Sequence, residues 1–134
     1  MKKVCSSICD HEILLIDDYI FNLYPLECML DTTFKIKSTS VSCGATAVKL
    51  YQLKIQSDCC KNMYRMVMTD IQMPEVDGFM VAEQILATQK YWFPLIEQKS
   101  KLGKFKTQKA CKIIAITAFT DELTVVRATK VGIL

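Results

Sequence analysis

The chain has 134 residues, a net charge of +3 and 51% apolar residues. That is the length of one domain with enough apolar content for a core, and no low-complexity tract points to a disordered or fibrous protein. No apolar run approaches the ~18 residues of a membrane span, and the N-terminus lacks a signal-peptide h-region with a cleavage site. A soluble, cytoplasmic domain is expected, one that can still be a module of a membrane-anchored parent. The seven cysteines are an odd number, and Cys28, Cys43 and Cys111 sit in apolar or helical stretches. They read as reduced thiols. Neither Cys5, Cys9 and His11 nor the pair Cys59 and Cys60 has the spacing of paired CxxC knuckles, which argues against zinc. His11 reads as a solvent-exposed lead-in residue.

Residues 1–11 form a polar lead-in. Glu12–Asp17 reads as the first strand. Ile20–Leu30 follows with Ile20, Leu23, Tyr24, Leu26, Met29 and Leu30 at helical spacing, although Pro25 fits a helix only in its first turn. Phe34–Val41 alternates Phe34, Ile36 and Ser38 with lysines, the pattern of an edge strand. Gly44–Gln56 is a second helix with Ala47, Val48, Leu50, Tyr51 and Leu53 on or near one stripe. Ser57–Asn62 is a polar turn, Met66–Asp70 a central strand and Gly78–Thr88 a third helix. Gln89–Cys111 is longer than an ordinary connection and reads as an insertion. Its aromatic part (Trp92, Phe93, Pro94, Leu95) is suited to pack on the domain. The six lysines between 99 and 112, five of them in the insertion, read as a solvated loop, since they lack a nucleic-acid-binding motif and, Phe105 apart, aromatic interleaving. Lys112–Thr117 is the last strand. Asp121–Lys130 is a fourth helix entered through Thr120, an N-cap residue type.

The order β-α-β-α-β-α-β-α implies a parallel sheet with helices on both faces. In such sheets the C-terminal ends of neighbouring strands share one crevice, where ligands bind. Asp17, Asp18, Asp70 and Thr117 all fall at strand ends and can converge there. Three carboxylates make a hard oxygen site suited to Mg²⁺.

Four motifs then fit together: Ile13–Asp18, Met66–Asp70, Met73–Gly78 and Ile113–Ala118. Asp70 followed by Met73-Pro74 and Asp77-Gly78, with an upstream strand ending Asp-Asp and a downstream strand ending Thr-Ala, resembles the receiver domain of two-component response regulators, especially receivers of eukaryotic hybrid histidine kinases. The likeness covers roughly residues 12–134. It implies a flavodoxin-like three-layer fold with strand order 2-1-3-4 and a fifth strand beyond. It also implies phosphoacceptance on Asp70 from the phosphohistidine of a histidine kinase or histidine phosphotransfer protein, with Mg²⁺ held by Asp18, Asp70 and the backbone carbonyl of Gln72. Asp17 would act through water or as a second ligand. Thr117, next to Ala118, would bind a phosphoryl oxygen and pass the signal to the face formed by the fourth strand and helix. Pro74, Asp77 and Gly78 are read as structural: Pro74 stiffens the loop, Asp77 caps the third helix and Gly78 allows tight backbone geometry.

Receivers also carry a lysine at the end of a fifth strand. These 134 residues stop where the fourth helix should end, and Lys130 lies on that helix. The chain is therefore expected to be a piece of a longer protein, such as a hybrid kinase, or a truncated receiver whose unpaired fourth-strand edge invites self-association. Two rivals follow. One is a degenerate receiver-like interaction module without phosphotransfer. The other is a Mg²⁺-dependent phosphohydrolase, disfavoured because that class wants a second aspartate where Gln72 stands.

Overall fold

The structure is a computed structural model and describes residues 9–57, 63–100, 110–117 and 121–134, with the side chains of 96–100 outside the description. Eight elements alternate: β1 (Ile13–Ile16), α1 (Ile20–Phe34), β2 (Ser38–Val41), α2 (Gly44–Gln56), β3 (Met66–Thr69), α3 (Gly78–Ser100), β4 (Lys112–Ala115) and α4 (Glu122–Val131). The four strands form one parallel sheet in the order β2-β1-β3-β4. Within β1, residues alternate between the two faces, as strand geometry requires. Ile13 and Leu15 face Leu23 and Leu30 of α1, with Leu26, Met66 and Met68 packed beside them. Leu14 and Ile16, with Val67 and Ile113, face Ala47, Val48, Tyr51 and Ile55 of α2 and Val81, Ala82 and Ile85 of α3. One side of the sheet thus carries α1 and the other carries α2 and α3: helices on both faces, as the order of elements implies, in the flavodoxin-like three-layer arrangement that the resemblance to receivers implies.

Several boundaries differ from the sequence expectation. The edge strand is only Ser38–Val41. Phe34 completes α1, and Lys35 ends that helix in the left-handed region at φ 56° with its N–H on the Leu30 carbonyl. Left-handed backbone at a helix C-terminus satisfies orphan carbonyls, and here it outweighs the alternating pattern. Pro25 is the sixth residue of α1, beyond the first turn. Phe21, whose carbonyl loses its partner there, is exposed, so water can take the bond. The buried stripe of α1 is Leu23, Leu26 and Leu30, while Ile20, Tyr24 and Met29 face outward.

The insertion begins as helix: α3 runs through Gln89 to Ser100 with Pro94 inside it. Trp92 and Phe93 pack against the larger core cluster, so apolar contact continues the helix past Thr88. Residues 101–109 lie outside the described residues, as do 58–62. The N-cap of α4 is Asp121, one residue later than expected, and it accepts the Thr124 N–H at 3.1 Å.

The burial of Lys54 and the part-burial of His11 depart from the sequence expectation. Lys54 is 1% exposed, while Leu53, placed on the stripe by its apolarity, is 54% exposed. The Lys54 ammonium donates to the His11 carbonyl and lies 4.3 Å from the centre of the Tyr64 ring, a cation–π contact. His11 is accordingly part-buried, not a solvent-exposed lead-in, and its Nδ1 is 2.8 Å from the Thr39 hydroxyl. Burial pushes its imidazole below the ordinary value.

At the other edge, Ile133 is 5% exposed within the core cluster, and the Leu134 N–H donates to the Ile113 carbonyl at 2.9 Å. The outer edge of β4 therefore has a backbone partner at one rung, so it is not wholly unpaired as expected. Among the described residues no helix is long and apolar enough to cross a membrane.

Candidate metal and phosphoryl site

The crevice is built at the C-terminal ends of β1 and β3. In register, Ile16 pairs with Thr69, so the residues that follow, Asp17 and Asp70, leave the sheet side by side. The Asp70 N–H donates to the Ile16 carbonyl at 2.8 Å, which fixes that pairing one residue beyond the strands. Carboxylate oxygens of Asp17, Asp18 and Asp70 all lie within 4.8 Å of one another. Asp17 is buried, Asp70 part-buried and Asp18 exposed. The crevice is thus anchored at its base and open to solvent at its rim.

Each carboxylate meets a different environment. Asp17 accepts the Tyr19 N–H at 2.9 Å and the Asn22 amide at 3.0 Å. Asp70 accepts the Ile71 N–H at 2.8 Å. Burial and the neighbouring Asp17 push the Asp70 carboxyl above the usual carboxylate range, against the N–H groups of Ile71 and Gln72, with a further push from Asp18. Like charges in a partly desolvated crevice disfavour ionisation, and a bound cation relieves that repulsion. The donor set is all oxygen with up to three negative charges, the chemistry that Mg²⁺ takes. Among the described residues this is the only cluster of three or more metal-capable acidic, histidine or cysteine side chains.

The loop after Asp70 is shaped by close backbone approach. A Cβ on Gly78 would stand 2.4 Å from the Asp70 carbonyl oxygen, and the Gly78 N–H donates to the Ile71 carbonyl at 2.8 Å. Asp77 caps α3 by accepting the Met80 N–H at 2.9 Å. The Pro74 carbonyl accepts the Val76 N–H at 2.7 Å around Glu75, a non-glycine residue at φ 65°. Such backbone costs about 1–3 kcal/mol and persists where its surroundings hold it. Val76 provides one such hold: a Cβ on Gly44, at the start of α2, would meet the Val76 carbonyl oxygen at 2.6 Å. The Gly44–Val76 contact was not legible in the sequence, because the residues are 32 positions apart and only Gly44 hints at a close approach.

Thr117 follows β4, the strand beside β3, where the Ile116 N–H donates to the Thr69 carbonyl at 2.9 Å. That places Thr117, part-buried, at the same end of the sheet as the three aspartates. Ala118 lies outside the described residues. Gln72 is exposed at the start of the loop. Together with Met73, Pro74, Asp77, Phe79, Thr124 and Arg127, it lines a groove of about 560 Å³ between this loop and α4.

No protein-family model and no curated protein sequence matches the chain. Solved structures do. The receiver domain of the histidine kinase CKI1 from Arabidopsis thaliana, complexed with Mg²⁺ and BeF₃⁻, superposes with TM-score 0.71 at 16% identity, covering 90% of this chain and 75% of that one. A chain of the co-crystal structure of the Saccharomyces cerevisiae histidine phosphotransfer protein Ypd1 and the Ssk1 receiver domain gives 0.69 at 21% identity, covering 93% and 75%. A chain of the CheX–CheY–BeF₃–Mg complex from Borrelia burgdorferi gives 0.64 at 21% identity, covering 92% and 73%. The fold is that of response regulator receiver domains.

Proposed function

We propose that the chain is a receiver module of a histidine–aspartate phosphorelay, with Asp70 as phosphoacceptor. The observation that carries this reading is the meeting of Asp17, Asp18 and Asp70 within 4.8 Å at the ends of adjacent parallel strands. Asp70 is the member that follows β3 and the one that leads into the Gly78-closed loop. In the step envisaged, an Asp70 carboxylate oxygen attacks the phosphorus of a phosphohistidine. The P–O bond forms as the P–N bond breaks, and the imidazole nitrogen keeps the electron pair and takes a proton. Asp18, Asp70 and the Gln72 carbonyl would hold Mg²⁺, with Asp17 contributing through water or as a second ligand. The ion would supply neutralisation of charge on the transferring phosphoryl group. Thr117 would donate its hydroxyl to a phosphoryl oxygen and carry the signal to β4 and α4.

A histidine kinase or histidine phosphotransfer protein is the partner this reading requires. Tyr19, Ile20, Phe21 and Tyr24 are 57–71% exposed at the start of α1, directly after the Asp17-Asp18 pair. An exposed apolar face beside the acidic crevice suits protein docking. The same face also favours the second reading, an interaction module without phosphotransfer.

Titration of Mg²⁺ followed by NMR tests the metal site. Saturable shifts of Asp17, Asp18, Asp70 and Gln72 resonances are expected, and they should vanish in Asp18→Ala. Unchanged binding in that variant would mean the site is wrongly placed.

A further inference from the structure

Asp17 is held from both sides. The Tyr19 N–H takes its Oδ1 at 2.9 Å and the Asn22 side-chain amide takes its Oδ2 at 3.0 Å. Asp17 is 8% exposed, whereas Asn22 is exposed on the first turn of α1. Asn22 thus reaches a member of the acidic cluster with its side chain, from the helix that follows the Asp17-Asp18 pair. A carboxylate with both oxygens engaged cannot rotate freely. Its remaining lone pairs point in fixed directions, and part of its charge is already answered by two N–H dipoles. Asp18, one residue on, is under no such constraint.

We propose that Asn22 is a positioning residue for the metal site, acting through Asp17. By pinning Oδ2 it holds Asp17 in place at the base of the crevice and leaves Asp18 and Asp70 as the carboxylates free to close on the ion. The inference rests on the reading of this crevice as a Mg²⁺ site. Groups that orient metal ligands typically change metal affinity 10–100-fold when removed. Asn22 is solvent-accessible, so the lower end of that range applies. Its removal should not disturb the fold, because alanine is the better helix former at an exposed helical position.

The experiment compares Mg²⁺ titrations of the wild-type chain, Asn22→Ala, Asp17→Ala and the double variant, with thermal melts in chelator alongside. The expected result is roughly tenfold weaker binding in Asn22→Ala, a metal-free melt no lower than wild type, and no additional loss when Asn22→Ala is combined with Asp17→Ala. That non-additivity marks two residues acting as a unit, and a merely structural role would not produce it. Unchanged affinity in Asn22→Ala overturns the inference. So does an equal loss in both backgrounds, since Asn22 would then not act through Asp17. Absence of saturable binding in the wild-type chain overturns the metal-site reading and this inference together, whereas saturable wild-type binding with an unaffected Asn22→Ala overturns the inference alone.

Discussion

Gly78 lies against the backbone that carries Asp70: a Cβ built on it would stand 2.4 Å from the Asp70 carbonyl oxygen and 2.8 Å from the Ile71 Cα. Both obstacles are main-chain atoms, so no side chain can swing aside. Gly78→Ala should cost about 1–3 kcal/mol, the ordinary penalty for overpacking, and it should displace the segment that carries Asp70 and Gln72. Urea unfolding checks the first effect and Mg²⁺ affinity the second. A wild-type midpoint and wild-type affinity would show that the approach is not tight.

Lys54 and Leu53 should respond to truncation in the reverse of their apolarity. Lys54 is 1% exposed and donates to the His11 carbonyl, while Leu53 is 54% exposed. Lys54→Ala removes a buried stem and leaves a carbonyl unanswered, for an expected loss of about 2–4 kcal/mol. Leu53→Ala should change stability by about 0.5 kcal/mol or less. Denaturant melts of the two variants decide the matter, and a larger loss at Leu53 would contradict the packing described.

The raised Asp70 carboxyl has a defined effect on stability. In the unfolded chain the group titrates near its ordinary value of 3.8, while burial and Asp17 raise it in the folded chain. Between those two values the folded state holds a proton that the unfolded state has lost, so stability falls as pH rises through that window and stays lower above it. Asp70→Asn should therefore melt higher than wild type at neutral pH without divalent cations, and the advantage should disappear below 3.8. Melts of both proteins in chelator across that range measure it. A neutral-pH melt of Asp70→Asn below that of wild type would contradict the electrostatic account of the crevice.

The acidic site was legible because strand-end residues inherit their positions from the sheet. Once Ile13–Ile16 and Met66–Thr69 are parallel neighbours, Asp17 and Asp70 must emerge together. The span of α2 followed from its apolar spacing, whereas the strand order came only from the resemblance to receivers. What escaped was set by contacts distant in sequence. Lys54 is buried because His11 and Tyr64, far along the chain, supply a carbonyl and a ring. Phe34 is helical because Lys35 can adopt left-handed backbone, a preference that alternating residues did not reveal. Helix α3 outran Thr88 because Trp92 and Phe93 reach the core. The Asn22–Asp17 bond spans only five positions and was hidden for a different reason: the spacing places Asn22 on α1, but only the turn at Tyr19 brings its amide back to the crevice.

On the proposed reading, Asp70 accepts a phosphoryl group only with a cation bound in the crevice. Incubation with acetyl phosphate and Mg²⁺, followed by peptide mapping by mass spectrometry, tests it most directly. The expected outcome is a single modified residue, Asp70, whose adduct survives acid better than phosphohistidine, is labile in base, and is absent when Mg²⁺ is chelated or Asp70 is replaced by asparagine. Modification of a serine, labelling of Asp70→Asn, or no incorporation under conditions where Mg²⁺ binds would contradict it, the last result leaving the protein-interaction reading in its place.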